Sequence, residues 1–350
     1  MVSHRRRFGS ILAGFSLALF VFAVGAFTFL PDRLAAFTVI PVWIWGGLGI
    51  AAAWVSFQLW RDRIALLVVG SWIIALFCLA DETRALTNIR SEPPRPGPAM
   101  PYHGQPVIRV ATLNCSSFML GNPAPDLAAW QPDIVLLQEV FPYQIQQIAS
   151  ALGLENDARI HQTNGVITRW KIEREINDPI RRKQQVTIVM PSGARIEVVN
   201  VHLAMAVTDL RLWRASSWIS HRSNRATHQN ELAQDLQQLR MTTRFPDAPV
   251  LFGGDFNSTA SDAIHRQLSN DLVDAFASIG TGLGNTFQRR LPSIRIDYLY
   301  SSRQLTPVRC RAVTTRHSDH RMVIADFLLG SNASTQSISS VPSLSKPSMP

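Results

Sequence analysis

Residues 8–30 carry no charged side chain, nor do 34–60 or 64–80, and short charged turns, Pro31-Asp32-Arg33 and Arg61-Asp62-Arg63, separate them. A helix crossing the apolar interior of a bilayer needs about 20 such residues. The pattern predicts three transmembrane helices, in preference to a secretory signal followed by buried helices. Beyond residue 106 short β-branched runs take over, and they predict strands at 107–113, 134–137, 185–190, 196–201, 249–252, 294–300 and 322–328. Helical spacing predicts helices at 143–152 and 226–240, the second with Leu232, Leu236 and Leu239 on one face and Asn224 or Thr227 as its N-cap. Many strands and few helices favour a strand-rich α/β sandwich over a doubly wound parallel sheet.

This divides the chain into a membrane anchor at 1–80, a Pro-rich linker at 81–106, a domain at 107–330 and a Ser/Pro-rich tail at 331–350. The linker composition predicts a stiff, extended tether and the tail composition predicts disorder. Arg5, Arg6 and Arg7 precede the first run and Arg61 and Arg63 flank the second turn, against Arg33 alone in the first turn. The positive-inside rule then leaves the amino terminus in the cytoplasm and carries residues beyond 80 to the extracytoplasmic, periplasmic side. Residues 101–350 hold 25 Lys and Arg against 20 Asp and Glu, which suits a polyanion or an anionic membrane surface. Cys78, Cys115 and Cys310 make no disulfide framework, although a Cys115–Cys310 bridge is compatible with an oxidising compartment.

Chemistry gathers where the predicted strands end. The strand at 107–113 runs into Asn114, that at 134–137 into Gln138-Glu139, that at 196–201 into His202, and that at 249–252 into Gly253-Gly254-Asp255-Phe256-Asn257. Arg295-Ile296-Asp297-Tyr298 lies within the penultimate strand and Ser318-Asp319-His320 precedes the last. One carboxylate after a strand is ordinarily a turn or cap residue. Six sites sharing the pattern are harder to assign that way. In GGDFNS, Phe256 is expected to return to the core, so that Asp255 and Asn257 face a cleft together. The two glycines are expected to turn the chain tightly and leave room for a phosphate.

The segments LNC, LLQEV, VNVHLA, GGDFNS, RIDYLY and HSDH, in that order and with NGVITRW between them, resemble the signature of the endonuclease/exonuclease/phosphatase superfamily over about 107–330. The resemblance implies a DNase I-like fold: a four-layered α/β sandwich of two packed mixed β-sheets with helices outside. It implies a metal site on Glu139 with Asn114 and Asp319 nearby, occupied by Mg²⁺ or alternatively Mn²⁺. It makes Asp255 the base that holds the attacking water, Asn257 its orienting partner, His202 and His320 donors to phosphoryl oxygens, and Asp297 the residue that fixes the His320 ring. Base duty stays open between Asp255 and the Asp297/His320 pair.

The expected activity is metal-dependent phosphodiester hydrolysis by in-line attack of water, with a nuclease-like substrate first. A phospholipid or phosphomonoester hydrolase is the alternative, and a silent membrane sensor of a phosphorylated ligand is the third. No obligate protein partner is expected. Where several family members carry a second acid two residues after this asparagine, the chain has Ser116, which disfavours two metals. The stretch 204–225, with Trp213 and Trp218 among arginines, is either a packed helix or a platform for bases or lipid headgroups.

Overall fold

The structure, a computed structural model, describes residues 2–61, 63–88, 90–178, 180–245 and 247–330. The tail expected to be disordered lies outside them. The anchor comprises α1 (Val2–Phe29), α2 (Ala35–Thr38), α3 (Val42–Trp60) and α4 (Arg63–Leu79). Two helices, His4–Phe29 within α1 and Val42–Trp60, are long and apolar enough to cross a membrane. A third span exists only if α4 is counted together with Asp81–Asn88, which leaves it at a 78° bend. The expected second span is also shortened, because Pro41 has no N–H to donate and holds Ile40 out of helical geometry, so α3 begins at Val42. Small residues let these helices approach. A Cβ on Gly49 would lie 2.2 Å from the Trp72 ring, and Ser16 Oγ donates to Gly49 O at 2.7 Å while accepting from Trp72 Nε1 at 3.2 Å.

After α5 (Asp81–Arg84) comes the sandwich. Its strands are β1 (Ile108–Asn114), β2 (Ile134–Gln138), β3 (Ala158–His161), β4 (Asn164–Thr168), β5 (Lys171–Asn177), β6 (Lys183–Val189) and β7 (Arg195–His202). They continue as β8 (Val250–Asp255), β9 (Val273–Asp274), β10 (Gly280–Thr281), β11 (Asp297–Ser301), β12 (Leu305–Val313) and β13 (Met322–Leu329). Its helices are α6 (Ala124–Ala128), α7 (Pro142–Leu152), α8 (Ala215–Thr242), α9 (Ala263–Leu268) and α10 (Ala275–Ile279). One sheet has 7 strands in the order β10-β12-β13-β1-β2-β4-β3, and the other has 6 in the order β5-β6-β7-β8-β11-β9. Both are mixed: β1–β2, β7–β8 and β10–β12 are parallel and the other pairs antiparallel.

Period-two alternation builds the layers. Val110, Leu136, Val186, Val198, Leu251 and Leu299 point between the sheets. Their neighbours Ala111, Val135 and Leu137 turn outward onto α6 and α7, and Val199, Val250 and Phe252 onto Leu232, Leu236 and Leu239 of α8. Helix, sheet, sheet and helix are the four layers expected. Cys115 and Cys310 are unpaired, buried in different apolar clusters.

Residues 81–106 do not stand off as a tether. The buried Arg109 guanidinium, paired with Asp326 at 2.7 Å, also donates to the carbonyls of Arg95 and Gly97. Arg309 reaches Glu92 and the carbonyl of Met100. Nearer the apolar helices, Arg295 bridges Asp81 at 2.5 Å and Asp274 at 2.8 Å, with its guanidinium 4.3 Å from the Tyr298 ring centroid. Burial works against its charge, and Asp274 and Asp81 outweigh that and raise its pKa. Asp81→Ala leaves half of this buried cation uncompensated. It is expected to cost about 3 kcal/mol, seen as a lower melting temperature of the full chain in detergent and faster proteolysis within 81–106.

Candidate active site

Strand register brings the candidate residues to one level. In the first sheet Asn114 lies opposite Gln138, one residue before Glu139. In the second, His202 lies opposite Asp255, and Asp255 opposite Asp297. Beneath them a buried amide pair ties the sheets: Gln138 Nε2 donates to Asn200 Oδ1 at 2.6 Å, and Asn200 Nδ2 donates to Leu137 O at 2.9 Å and Gly165 O at 3.0 Å. These amides sit one and two residues from Glu139 and His202, so the clamp fixes the distance between the two halves of the site. Their placement inside otherwise apolar strands was the signal available in the sequence.

Asp255 is the hub. Its Oδ2 accepts from Asn114 Nδ2 at 3.0 Å, and its Oδ1 accepts from the Asn257 backbone N–H at 2.8 Å. His202 Nε2 lies 3.9 Å and His320 Nε2 4.0 Å from Oδ2. Asn114 Nδ2 also donates to Glu139 Oε1 at 3.1 Å, which in turn lies 3.8 Å from His202 Nε2. Separations near 4 Å are too long for direct hydrogen bonds and leave space for an oxygen between the groups. His202 Nδ1 is buried without a hydrogen-bond partner among the described residues. Asn257 Nδ2 donates to Leu203 O at 3.2 Å, leaving its amide oxygen free of any described donor. Ser116 Oγ donates to Asp319 Oδ1, and its backbone N–H donates to Asn114 Oδ1 at 2.9 Å. Ser318 Oγ donates to Asn114 O at 2.6 Å. The serine found where an acid was sought is thus the link between Asn114 and Asp319.

His320 Nδ1 pairs with Asp297 Oδ2 at 2.9 Å. Burial disfavours the imidazolium, but the carboxylates of Asp297, Asp255 and Asp319 outweigh it and hold the ring's pKa up at about 10. Burial, with Asp255 adding repulsion, also raises Asp297, and the adjacent imidazolium opposes this. Ligand atoms of Asp255, Asp297 and His320 lie within 4.8 Å of one another. The same three groups hold their proton between Asp297 and His320, and a protonated ring has no lone pair to give a metal. Glu139 differs: its side chain is 33% exposed against 2% for Asp255 and 0% for Asp297. Glu139 is a carboxylate open to the cleft, and with Asp319 it offers the oxygen donors that a hard divalent cation takes; Asn114 now turns Nδ2 toward Glu139 and Oδ1 toward the Ser116 N–H, so it would join them only with its amide turned over.

The backbone is strained where the chemistry is. Glu139 (φ 53°) and Asn257 (φ 46°) occupy left-handed conformations, as do Ser116, Ser117 and Phe118. Gly254 has φ 133°, and a Cβ there would lie 2.0 Å from Val201 O. Gly253 and Gly254 lie inside β8 and serve close strand packing, which corrects the expectation of a tight turn with room for phosphate. Phe256 is buried among Phe252, Tyr298 and Tyr300 as expected.

Behind this loop, His265 Nδ1 meets the Tyr300 hydroxyl at 2.9 Å and Nε2 meets Ser258 Oγ at 3.2 Å. Burial depresses its pKa to about 4. A folded-state value below the unfolded one makes its contribution complete above about pH 6.5 and lost as pH falls toward 4, by about 3 kcal/mol in all. His265→Gln is expected to flatten that acid limb of melting temperature against pH.

No curated protein sequence matches the chain. Among solved structures, an endonuclease/exonuclease/phosphatase family protein from Bacteroides thetaiotaomicron superposes with a TM-score of 0.52 at 14% identity, covering 65% of this chain and 96% of that one. One from Beutenbergia cavernae gives 0.46 at 18% identity over 64% and 72%. TDP2 of D. rerio, complexed with single strand DNA product, gives 0.49 at 17% identity over 63% and 99%. The first of these shows the shared fold. Residues 111–320, more than half of the chain, match the sequence family described as Endonuclease/Exonuclease/phosphatase family. With those residues spanning Asn114, Glu139, His202, Asp255, Asp297 and His320, the chain belongs to the endonuclease/exonuclease/phosphatase family.

Proposed function

We propose that this chain is a membrane-anchored, divalent-metal-dependent phosphodiesterase. The observation that carries this is the buried Asp255 carboxylate, met by Asn114 from the facing sheet and approached to about 4 Å by two imidazoles from separate elements. Asp255 accepts the proton of the attacking water. Asn257, held by Leu203, orients that water or a phosphoryl oxygen. His202 and His320 donate to the phosphoryl oxygens, and Asp297 keeps the His320 ring turned so that Nε2 faces Asp255. Glu139, Asn114 and Asp319 would hold the cation, Mg²⁺ by preference. A cation held there supplies positive charge against the phosphoryl and leaving oxygens. Fixed donors aimed at developing charge need no reorganisation during reaction.

The anchor supports an outward domain. Arg6 lies 4.7 Å over Trp60 and Arg61 5.2 Å over Phe57, an arginine–aromatic belt at the end of α3 remote from the sandwich. That end would be cytoplasmic, leaving the domain extracytoplasmic. Purified full chain in detergent is expected to hydrolyse bis(p-nitrophenyl) phosphate with Mg²⁺. EDTA should reduce the rate by about 100-fold or more, and Mg²⁺ or Mn²⁺ should restore it. Absence of turnover on every diester with either ion would reject the proposal.

A further inference from the structure

The anchor meets the sandwich at the cleft end. Trp218, in the first turns of α8, packs into the apolar cluster of Phe27 and Phe37. Arg225 NH1 lies 3.5 Å from Asp32, and the Ala263 N–H donates to the same carboxylate at 3.2 Å. Arg266 donates to Thr28 O at 2.6 Å and Asn285 to Glu82 at 2.9 Å. The partners lie on segments that leave or enter the cleft ends of strands: Ala263 and Arg266 in α9, which follows Asn257, Asn285 ahead of the strand that opens at Asp297, and Trp218 and Arg225 in the first half of α8, which follows β7 and the loop beyond His202. The end of α1 and the segment that leaves α4 therefore hold the mouth of the cleft toward the membrane surface.

The exposed apolar side chains are distributed in the same sense. Outside the anchor, eight large apolar side chains among the described residues are exposed by 63% or more. Six follow or precede strands at the cleft end: Met119, Tyr143, Ile180, Met205, Trp213 and Leu291. A seventh, Ile219, is next to Trp218, and only Met241 lies at the far end of α8. Their loops are built rather than loose. Asn224 Nδ2 donates to Met205 O at 3.1 Å, Trp218 Nε1 donates to Leu212 O at 2.7 Å, and Arg182 O accepts from the His202 N–H at 3.0 Å. Arg182, Arg214, Arg222 and Arg290 are exposed on the same loops and on α8, while the acids Asp178 and Asp209 are paired with Arg181 and Arg211.

An apolar rim with basic residues, continuous with a transmembrane anchor, matches a lipid headgroup layer: the side chains enter its apolar edge and the arginines meet lipid phosphates. Taking the phosphodiesterase proposed above as given, we infer that the rim of the cleft sits in the leaflet beside the anchor, and that the substrate is the phosphodiester of a phospholipid headgroup in that leaflet. Hydrolysis adds water to phosphorus and breaks one P–O bond to an alcohol. One water proton passes by way of Asp255 to solvent, and the departing alkoxide oxygen takes up a proton, leaving a phosphomonoester and a free alcohol. Trp218, being packed on the anchor, cannot stack on a base, which weighs against a nucleic-acid platform in 204–225.

The test uses the full chain in nanodiscs of phosphatidylethanolamine and phosphatidylglycerol with Mg²⁺, and in nanodiscs containing brominated phosphatidylcholine. The bromolipid should quench the fluorescence that wild type has and Trp213→Phe lacks. Quenching of that component by aqueous iodide alone overturns the buried rim. The triple variant Met205→Ser, Trp213→Ser, Leu291→Ser should lose about tenfold or more in lipid hydrolysis, while bis(p-nitrophenyl) phosphate turnover stays within about twofold. Equal loss on both substrates, or wild-type cleavage of a single-stranded oligonucleotide faster than of lipid, overturns the lipid substrate. If wild type turns over neither diester, the phosphodiesterase itself is rejected, and bromolipid quenching still decides where the rim lies.

Discussion

Asp255→Asn is expected to lower kcat for diester hydrolysis by about 10³-fold with KM changed only a few-fold, because a positioned general base contributes 10²–10⁴. The substitution is chosen for its shape. An amide oxygen at Oδ1 still accepts from the Asn257 N–H, so the loop that carries Asn257 keeps its support. At Oδ2, an amide nitrogen would face the Asn114 amide that now donates there. Placing the amide the other way moves that conflict to Asn257, so either rotamer loses one hydrogen bond. Against that, the variant removes a charge that is 1% exposed, and the melting temperature is expected to change by only a few degrees. A large kinetic effect with a small stability effect separates a chemical role from a structural one. The companion Asp297→Asn keeps the contact to His320 Nδ1 but not the charge that favours the imidazolium. If Asp255→Asn costs less than about tenfold while Asp297→Asn costs about 10³-fold, base duty belongs to the Asp297/His320 pair instead.

What could be read from the chain, and what could not, follows from the range of the forces involved. Strands with alternating burial and a polar residue at the end were legible, because alternation is local: Val135 and Leu137 face out while Ile134 and Leu136 face in. The strand β12 was not, since Leu305–Val313 carries Pro307 and the buried Arg309, whose charge is met by Asp326 on the neighbouring strand and by Glu92, far away in sequence. In β5, Lys171–Asn177 is a mostly exposed edge strand with little apolar content to mark it. The helix at 226–240 was found by its leucines and extends back to Ala215, so Asn224 and Thr227 lie within it instead of capping it. Its added turns have no leucine repeat because they pack on the anchor through Trp218 and Arg225. Docking of 81–106 was hidden for the same reason: prolines suggest stiffness locally, whereas the partners the segment rests on, Arg109, Arg295 and Arg309 among them, are set by the fold. At the site, residue types and strand ends gave the constellation, whereas the clamp of Gln138 and Asn200 and the Ser116 link depend on contacts between sheets and loops.

Glu139→Gln should separate metal binding from proton transfer. At fixed Mg²⁺ its rate is expected to fall by about 10²-fold or more, since a neutral amide replaces a carboxylate open to the cleft. Raising Mg²⁺ or substituting Mn²⁺ should recover part of the loss, because Asn114 and Asp319 remain, and titration calorimetry should show weaker Mg²⁺ binding. Asp255→Asn should gain little from added metal. The glutamine retains an acceptor for Asn114 Nδ2, now at 3.1 Å from Glu139 Oε1, so the contact between the ends of β1 and β2 is preserved. It also keeps the left-handed backbone at φ 53°, a conformation that amides tolerate at least as well as acids. A rate unchanged in Glu139→Gln, with Mg²⁺ affinity also unchanged, would move the cation away from β2. The buried trio of Asp255, Asp297 and His320 would then be its seat, and the ion pair that closes that trio would have to open to admit it. Metal binding would in that case release a proton from His320, whereas a cation on Glu139, Asn114 and Asp319 displaces none. Proton release measured in weakly buffered solution therefore distinguishes the two seats even where both variants lose activity.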